Sequence, residues 1–349
     1  MTTAHPTLVK PPPVDESKAP IENALELTEL SIIGPDMFTN TRELWHPPGA
    51  RGLYGGCVIA QTLAAAQRTV PPDFTVHSYH CFFVLSGDSS VPIIYHVERV
   101  REGRSFCTRT VQARQRGHAI FTVTCSFTRD GSGGAKAVSH AIPMPSNLPP
   151  PPPPDYEEPT FPGAENKSPF ESYKCPRDDF HLPPEQRKIW QWVRARGQIS
   201  AEGGHQAHLS ALAYMSDSYF IGTVSRIHRL WRFPFKPEEL KHLDPEVRAH
   251  LNKLNDIEGS GPGKLEDMRD RPRVGMMVSL DHSIYFHNPK KVRADEWMFT
   301  EMDSPWAGDG RGVVMQKIFS RDGTLLATAI QEGVVRLKQD EKAEQKPKL

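Results

Sequence analysis

The fold is decided by residues 55–69, GGCVIAQTLAAAQRT, where a glycine pair opens a stretch typical of a helix. Three extended segments with the composition of β-strands follow it. They are VHSYHCFFV at 76–84, IIYHVERV at 93–100 and the hairpin SFCTRTVQARQRGHAIFTVTCSF at 105–127. One helix that precedes several strands is therefore the first structural unit of the chain.

The same order of elements recurs in the second half of the chain. Gly203 and Gly204 precede the helical stretch HLSALAYMSDSYF at 208–220. The extended segments that follow are MMVSLDHSIYF at 276–286, WMFTEMD at 297–303 and the hairpin RGVVMQKIFSRDGTLLATAIQEGVV at 311–335. Each hairpin carries an arginine at the start of its first strand and a glycine at its turn: Arg104 and Gly117, or Arg311 and Gly323. This repeat indicates a duplicated unit.

The two units predict an α+β protein in which each antiparallel sheet wraps around one central helix. This arrangement is the hotdog fold, and its duplication predicts a tandem, or double, hotdog. One unit alone leaves a sheet edge open. Two units side by side form one continuous sheet and cover both of those edges, so we expect the halves to join through paired strands.

Composition divides the chain into five predicted segments. Residues 149–154 are six consecutive prolines, which favour a stiff, extended linker between the units. A charged stretch within the second unit is interpreted as a surface insertion or lid. The segments are a mobile N-terminus at 1–22, a first unit at 23–128, a linker at 129–185, a second unit at 186–337 with the insertion at about 234–272, and a tail at 338–349.

The composition argues against several classes of protein. Lys plus Arg and Asp plus Glu both number 42, so the formal net charge is zero and lacks the basic bias of a nucleic-acid-binding protein. The five cysteines form no CxxC pair and are odd in number, which favours a reducing compartment over a disulfide framework. No apolar run of about 18 residues occurs, and the first residues lack the apolar core of a signal peptide. We therefore expect a soluble, intracellular protein.

Asp217 is the first candidate site residue. It occupies position i+8 of a helical stripe at i, i+3, i+4 and i+7 that consists of Leu209, Leu212, Ala213 and Ser216. A carboxylate at a core position needs partners or a chemical task. An acid at the helix edge that reaches solvent or caps a neighbouring element explains the same pattern. The first helical stretch, at 55–69, contains no Asp or Glu, so we expect one carboxylate-dependent site per chain.

Ser279 is the second candidate, in the segment at 276–286. Strict alternation places its side chain on the same face as Asp281 and Ser283, with His282 on the opposite face. Asp281, His282 and Ser283 resemble a hydrolytic triad, but neighbours on a strand point to opposite faces and cannot form one among themselves. We therefore predict structural roles for Asp281 and His282.

Gln331 is the third candidate, because it ends the otherwise apolar row of Leu325, Ala327 and Ala329. A strand-end glutamine satisfied by backbone groups is the alternative interpretation. Asp217, Ser279 and Gln331 interrupt a helix, the first strand and the last strand of one unit. We expect them to converge at one end of the sheet.

Several apparent motifs do not support other chemistry. GSGPGK at 259–264 lacks the spacer of a phosphate-binding loop and is followed by leucine where Ser or Thr would bind magnesium. His77 and His80 are three apart on a predicted strand and therefore face opposite sides, which argues against a metal site. The sequence contains no G-x-S-x-G elbow of the α/β-hydrolases.

The chain resembles the acyl-CoA thioesterase II family, which includes the peroxisomal acyl-CoA thioesterases. The matching stretches cover most of both units and leave out the linker, the insertion and the termini. They are GGCVIAQTLAAA, VHSYHCFFVLSGD, PIIYHVERVREGRSFCTRTV, WQWVRARG, AYMSDSYF, SLDHSIYFHNP, DEWMFTEMDSP and GRGVVMQKIFSRDGTLLATAIQEGVVR. The resemblance implies hydrolysis of fatty acyl-CoA, with the family's catalytic Asp, Ser or Thr, and Gln on Asp217, Ser279 and Gln331.

The resemblance also bears on cofactors, partners and location. It implies that no cofactor is needed, since coenzyme A is part of the substrate, and that the chain forms a homodimer or homotetramer. Pro347-Lys348-Leu349 is a relaxed form of the small-basic-Leu signal bound by the peroxisomal import receptor. The expected location is the peroxisome, with the cytoplasm as the alternative.

The hypothesis for the mechanism is that Asp217 acts as general base on a water that the other two candidates orient. A backbone N–H at a helix start, at 55–56 or 203–204, is the candidate donor to the developing oxyanion. The phosphates of coenzyme A need cationic side chains, for which Arg101, Arg104 and Arg109 are candidates. A solvated, charged sheet edge explains these arginines equally well.

Two other functions remain open from the sequence. A double-hotdog enoyl-CoA hydratase shares the ligand and the architecture, but it needs an Asp/His pair that adds water to a double bond. The only such pair lies in the strand of Asp281 and His282. A non-catalytic CoA-ester carrier has the fold without turnover, and it has no need of all three candidate site residues together.

Overall fold

The computed structural model describes residues 5–45, 52–153, 155–156, 158, 168–233, 235–257 and 265–339. The GSGPGK segment at 259–264 and the tripeptide at 347–349 lie outside these ranges. Among the described residues, no helix combines the length and apolar character that are needed to cross a bilayer.

The described ranges form five α-helices and thirteen β-strands. The helices are α1 (Pro20–Ala24), α2 (Gly55–Gln67), α3 (Gly204–Ser216), α4 (Gly222–Ile227) and α5 (Pro245–Ile257). The strands of the first half are β1 (Leu27–Glu29), β2 (Met37–Asn40), β3 (Phe74–Phe83), β4 (Ile94–Glu102), β5 (Phe106–Gln115) and β6 (His118–Arg129). Those of the second half are β7 (Phe170–Cys175), β8 (Ile189–Ala195), β9 (Val274–Ser279), β10 (Asp281–Phe286), β11 (Met298–Gly308), β12 (Arg311–Phe319) and β13 (Leu325–Leu337).

All thirteen strands belong to one antiparallel sheet. Its order is β1-β2-β4-β5-β6-β3-β10-β13-β12-β11-β8-β7, and β9 also pairs with β13. The halves join where β3 pairs with β10, with Cys81 opposite His282. The order is symmetric about this junction, which confirms the predicted duplication and the predicted continuous sheet. Joining closes only the inner edges, because β1 and β7 remain at the two ends.

The two helices of the repeat, α2 and α3, pack against each other on the inner side of the sheet. Ile59, Leu63 and Leu212 are fully buried, and nearly every residue of both helices is shielded from solvent. The residues of the predicted stripe on the second helix, Leu209, Leu212, Ala213 and Ser216, are buried. The other faces of α3 are buried as well from His208 onward, as expected for a helix enclosed by a sheet. The helices run in opposite directions, so the start of α2 lies beside the end of α3.

The two hairpin turns follow the sequence prediction. Gly117 and Gly323 have φ angles of +80° and +87°, in the left-handed region that glycine adopts without strain. The turns join β5 to β6 and β12 to β13. The repeated glycines therefore mark equivalent turns in the two units.

The N-terminal segment and the linker contain structure that the sequence patterns do not predict. Within the predicted mobile region of 1–22, α1 begins at Pro20 and Ile21 is almost completely buried. Within the predicted linker, β7 pairs with β8 at the end of the sheet. Trp192 of β8 donates its indole N–H to the carbonyl of Pro149, at 3.2 Å, so the start of the proline tract contacts the sheet. Short elements like these carry too little periodicity to be recognised.

The charged insertion at about 234–272 is closed at its base by a bridge between Trp231 and Arg273. It has a small hydrophobic cluster of its own, separate from the main core. The cluster consists of Trp231, Leu240, Leu251, Leu265 and Met268. Its role as a lid stays a prediction.

Candidate active site

Asp217 lies at the junction of the two halves. It caps the C-terminal end of α3, where its carboxylate accepts two hydrogen bonds. Oδ2 accepts the backbone N–H of Gly56 at the start of α2, at 2.9 Å, and Oδ1 accepts Nε2 of Gln331 on β13, at 2.8 Å. The positive end of the α2 dipole favours a carboxylate at this position. Asp217 is half-buried and has partners from both units. Its contact with the Gly56 N–H at the start of α2 is the capping contact of the alternative interpretation, so its chemical role stays a prediction.

The glycine pair explains how the carboxylate can come so close to α2. A Cβ atom on Gly55 would lie 2.7 Å from Oδ2 of Asp217, and a Cβ atom on Gly56 would lie 2.2 Å from the carbonyl oxygen of Tyr214. Such distances are shorter than van der Waals contact. Glycine is therefore required here for close approach between the helices.

Burial raises the pKa of Asp217 to about 6, and the hydrogen bonds from Gln331 and Gly56 oppose that rise by favouring the charged form. A carboxylate with this pKa is ionised at neutral pH and is a stronger base than an ordinary aspartate. The environment of Asp217 therefore suits a general base that works near neutral pH.

Gln331 follows the predicted pattern of its strand. Ala327, Ala329 and Gln331 are buried, whereas Ile330 is exposed. Its Nε2 donates to Asp217 and also contacts Nδ1 of His282, at 3.1 Å. Within the described part of the chain, its Oε1 is buried and has no hydrogen-bond partner. The alternative of a glutamine satisfied by backbone groups is therefore wrong.

Ser279 lies on the inner face of the sheet because the strand pairing shifts by one residue, which strict alternation does not predict. The segment at 276–286 is two strands rather than one, because the pairing with β13 shifts by one residue at Leu280. Ser283 lies opposite Ile330, whereas Ser279 lies opposite Gly333, two positions beyond Gln331. Paired residues share a face, so Ser279 shares the face of Gln331 and not that of Ser283.

The structure therefore brings two of the three predicted residues into direct contact. Asp217 and Gln331 are hydrogen-bonded, and Ser279 lies on the same face of the sheet. The half-buried Ser279 hydroxyl makes no hydrogen bond to any described residue.

His282 belongs to this site, although sequence analysis predicted only a structural role for it. Its ring is buried, and its Nε2 lies 3.0 Å from Oγ of Ser216. Burial lowers the pKa of His282 to about 3, so the ring is neutral. Asp281 instead accepts the backbone N–H of Glu332, and within the described chain it makes no hydrogen bond to His282. This geometry weighs against the Asp/His pair of a hydratase.

Two sets of predicted contacts are corrected by the structure. Arg109 is fully buried, and its guanidinium donates to Oγ1 and the carbonyl of Thr69 and to the carboxylate of Glu102. It is a structural residue and not a phosphate contact, while Arg101 and Arg104 stay exposed. The second prediction is the backbone donor to the oxyanion. Residues 203–204 start α3, at the opposite end of that helix from Asp217. In the other candidate pair, the N–H of Gly56 already donates to Asp217.

Comparison with protein families gives matches in both halves. A model of the acyl-CoA thioesterase N-terminal domain matches residues 42–128, and a model of the acyl-CoA thioesterase C-terminal domain matches residues 145–335. Acyl-coenzyme A thioesterase 8 of Mus musculus is 35% identical over 315 residues, which cover 85% of this chain and 84% of the relative. Peroxisomal acyl-coenzyme A thioester hydrolase 1 of Saccharomyces cerevisiae is 24% identical, covering 91% and 96% of the two chains.

Solved structures confirm the architecture. Acyl-CoA thioesterase II TesB2 from Mycobacterium marinum superposes with a TM-score of 0.62 at 28% identity, covering 91% of this chain and 97% of that one. A protein with a hot dog fold from Alicyclobacillus acidocaldarius, at 16% identity and a TM-score of 0.55, covers 90% and 97% and supports the fold alone. The predicted double hotdog is thus confirmed. The chain belongs to the acyl-CoA thioesterase II family and is an acyl-CoA hydrolase.

Proposed function

We propose that Asp217, Ser279 and Gln331 activate the water molecule with which this enzyme hydrolyses a fatty acyl-CoA. The observation that carries the proposal is the carboxylate of Asp217, held between the Gly56 N–H and the Gln331 amide with a pKa of about 6. Each carboxylate oxygen accepts one hydrogen bond in the protein and keeps lone-pair capacity for the proton of a water.

The proposed reaction proceeds without a covalent enzyme intermediate. The water oxygen attacks the thioester carbonyl carbon while one water proton passes to Asp217. The tetrahedral adduct then re-forms its carbonyl group as the C–S bond breaks. Asp217 returns the proton to the departing thiolate, so the products are a free fatty acid and the thiol of coenzyme A. The carboxylate ends the cycle in its starting state.

Gln331 and Ser279 have the proposed task of fixing the water. The buried Oε1 of Gln331 lacks a protein partner among the described residues and suits the second water proton. The Ser279 hydroxyl, on the same face of the sheet, suits donation to one lone pair of the water oxygen. The other lone pair is then directed at the carbonyl carbon, and such positioning makes a large contribution to rate.

Ser279→Ala tests this arrangement, with Ser283→Ala as the matched control. Both serines lie on strands that pair with β13, but Ser283 faces outward and bonds the exposed His80. We expect Ser279→Ala to lower kcat about 10- to 100-fold with little change in KM, because misplacing the water costs rate rather than binding. The control should keep wild-type kinetics. Equal kcat values in the two variants would remove Ser279 from the proposal.

Location and assembly are also proposed. We infer a peroxisomal location from two observations, the name of the yeast relative and the residues Pro347-Lys348-Leu349. A fluorescent fusion at the N-terminus should enter peroxisomes, and removal of these three residues should leave it in the cytoplasm.

We further propose a homodimer or homotetramer, which light scattering on the purified chain distinguishes from a monomer.

A further inference from the structure

His282 is a buried titratable residue to which the proposed chemistry gives no role. It lies on β10 at the junction of the halves, with its ring against Phe220 at a centroid distance of 5.2 Å. Both ring nitrogens have hydrogen-bond partners: Nε2 has Oγ of Ser216, and Nδ1 has Nε2 of Gln331. The ring therefore connects the end of α3 to the proposed water-binding amide.

The donors and acceptors along this connection follow from chemistry alone. The ionised carboxylate of Asp217 only accepts, so the nitrogen of the Gln331 amide must face it. That same nitrogen contacts Nδ1 of His282, which must then also accept. A neutral ring with Nδ1 as acceptor carries its proton on Nε2, and this proton is donated to Oγ of Ser216.

The hydroxyl of Ser216 completes this series of hydrogen bonds. Its oxygen lies 2.8 Å from the carbonyl oxygen of Ala213, to which it donates its only hydrogen. The hydroxyl therefore accepts from His282 and cannot donate to it. The direction of every hydrogen bond from Ala213 to Asp217 is thus determined, starting from a backbone carbonyl that cannot change its role.

We propose that His282 is a positioning residue that holds the Gln331 amide in the one orientation that leaves Oε1 free for the hydrolytic water. Both hydrogens of the amide nitrogen are engaged, by Asp217 and by His282, and Oε1 is left without a partner in the described chain. With Nδ1 as acceptor, a reversed amide would put oxygen against both the ring nitrogen and the carboxylate. The inference rests on the role proposed for Gln331.

Two substitutions separate positioning from packing. The amide of an asparagine at 282 ends near the place of Nδ1, so His282→Asn keeps an acceptor for Gln331 and loses the bond to Ser216. The amide of a glutamine ends near the place of Nε2, so His282→Gln keeps a donor to Ser216 and loses the acceptor. We expect His282→Gln to lower kcat about tenfold or more at nearly unchanged KM, and His282→Asn to keep most of kcat.

Nitrogen-15 NMR of histidine-labelled wild-type enzyme provides a measurement that does not depend on the folding of any variant. The resonance of His282 should report a neutral ring with the proton on Nε2 throughout pH 5 to 8. A proton on Nδ1, or equal loss of kcat in both variants, would overturn the inference. If Asp217→Asn abolishes hydrolysis while His282→Gln is fully active, only the role of His282 fails. If neither substitution affects hydrolysis, the proposed site itself fails.

Discussion

At the residue scale, the pKa of Asp217 links the structure to the pH dependence of catalysis. A general base must be ionised before it can take a proton, and burial has raised the pKa of this carboxyl to about 6. We therefore expect kcat to be constant above pH 7, to reach half its maximum near pH 6, and to fall about tenfold per pH unit below that.

The profile is measured as kcat at saturating acyl-CoA between pH 4.5 and 8, with protein stability checked at each pH. A constant kcat down to pH 5 would show that the base has an ordinary carboxyl pKa or that the reaction uses no titrating base. His282 does not interfere with the interpretation, because burial lowers its pKa to about 3 and it stays neutral across this range.

The site residues were predicted from the sequence to different degrees. Asp217 and Gln331 interrupt apolar patterns, and these interruptions were visible without a structure. Ser279 was identified, but its face was wrong because the one-residue shift at Leu280 has no signature in the sequence. His282 was missed for the same reason, since strict alternation separates it from Ser279 and hides their common orientation toward the inner face.

At the element scale, the approach of α2 to α3 depends on the absence of a side chain at Gly56. Its Cβ atom would lie 2.2 Å from the carbonyl oxygen of Tyr214 and 2.5 Å from the ring of Tyr54. Gly56→Ala should therefore push the helices apart and displace the N–H that holds Asp217. We expect about 2 kcal/mol of destabilisation and a loss of kcat of at least about tenfold.

Gly133→Ala is the matched control, because nothing lies within 4 Å of its added Cβ atom. Thermal unfolding and kcat should both be unchanged in this variant. If Gly56→Ala behaved like the control, the close helix contact described here would not exist in solution. The glycine pair itself was found in the sequence, but the element that it approaches was not, because the contact joins residues more than 150 positions apart.

At the scale of the whole molecule, the two halves share one sheet and one core. The main hydrophobic cluster includes Ile59 and Val123 from the first half together with Leu212 and Val314 from the second. A shared core of this kind couples the unfolding of both halves. We expect a single calorimetric transition in which the calorimetric and van't Hoff enthalpies agree. Two separated transitions would show instead that the halves fold independently.

The repeat made the duplicated part of the architecture predictable, since the order of helix, strands and hairpin was visible twice. The outer strands and the segments that flank the repeat were not. β7 forms one end of the sheet, Pro149 contacts the neighbouring strand, and α1 anchors the N-terminal segment through buried Ile21. These segments are short and gain their structure from tertiary contacts, which local patterns do not encode.

The carboxylate of Asp217 is the proposed base of this thioester hydrolase, and Asp217→Asn removes the base while keeping the shape of the side chain. Asp281→Asn is the matched control, because that carboxylate is also half-buried but, among the described residues, accepts only the Glu332 N–H on the neighbouring strand. The measurement is the release of the coenzyme A thiol from a panel of acyl-CoAs. We expect Asp217→Asn to lower kcat about 10²- to 10⁴-fold while the control hydrolyses normally. Full hydrolysis by Asp217→Asn would show that Asp217 is not the base.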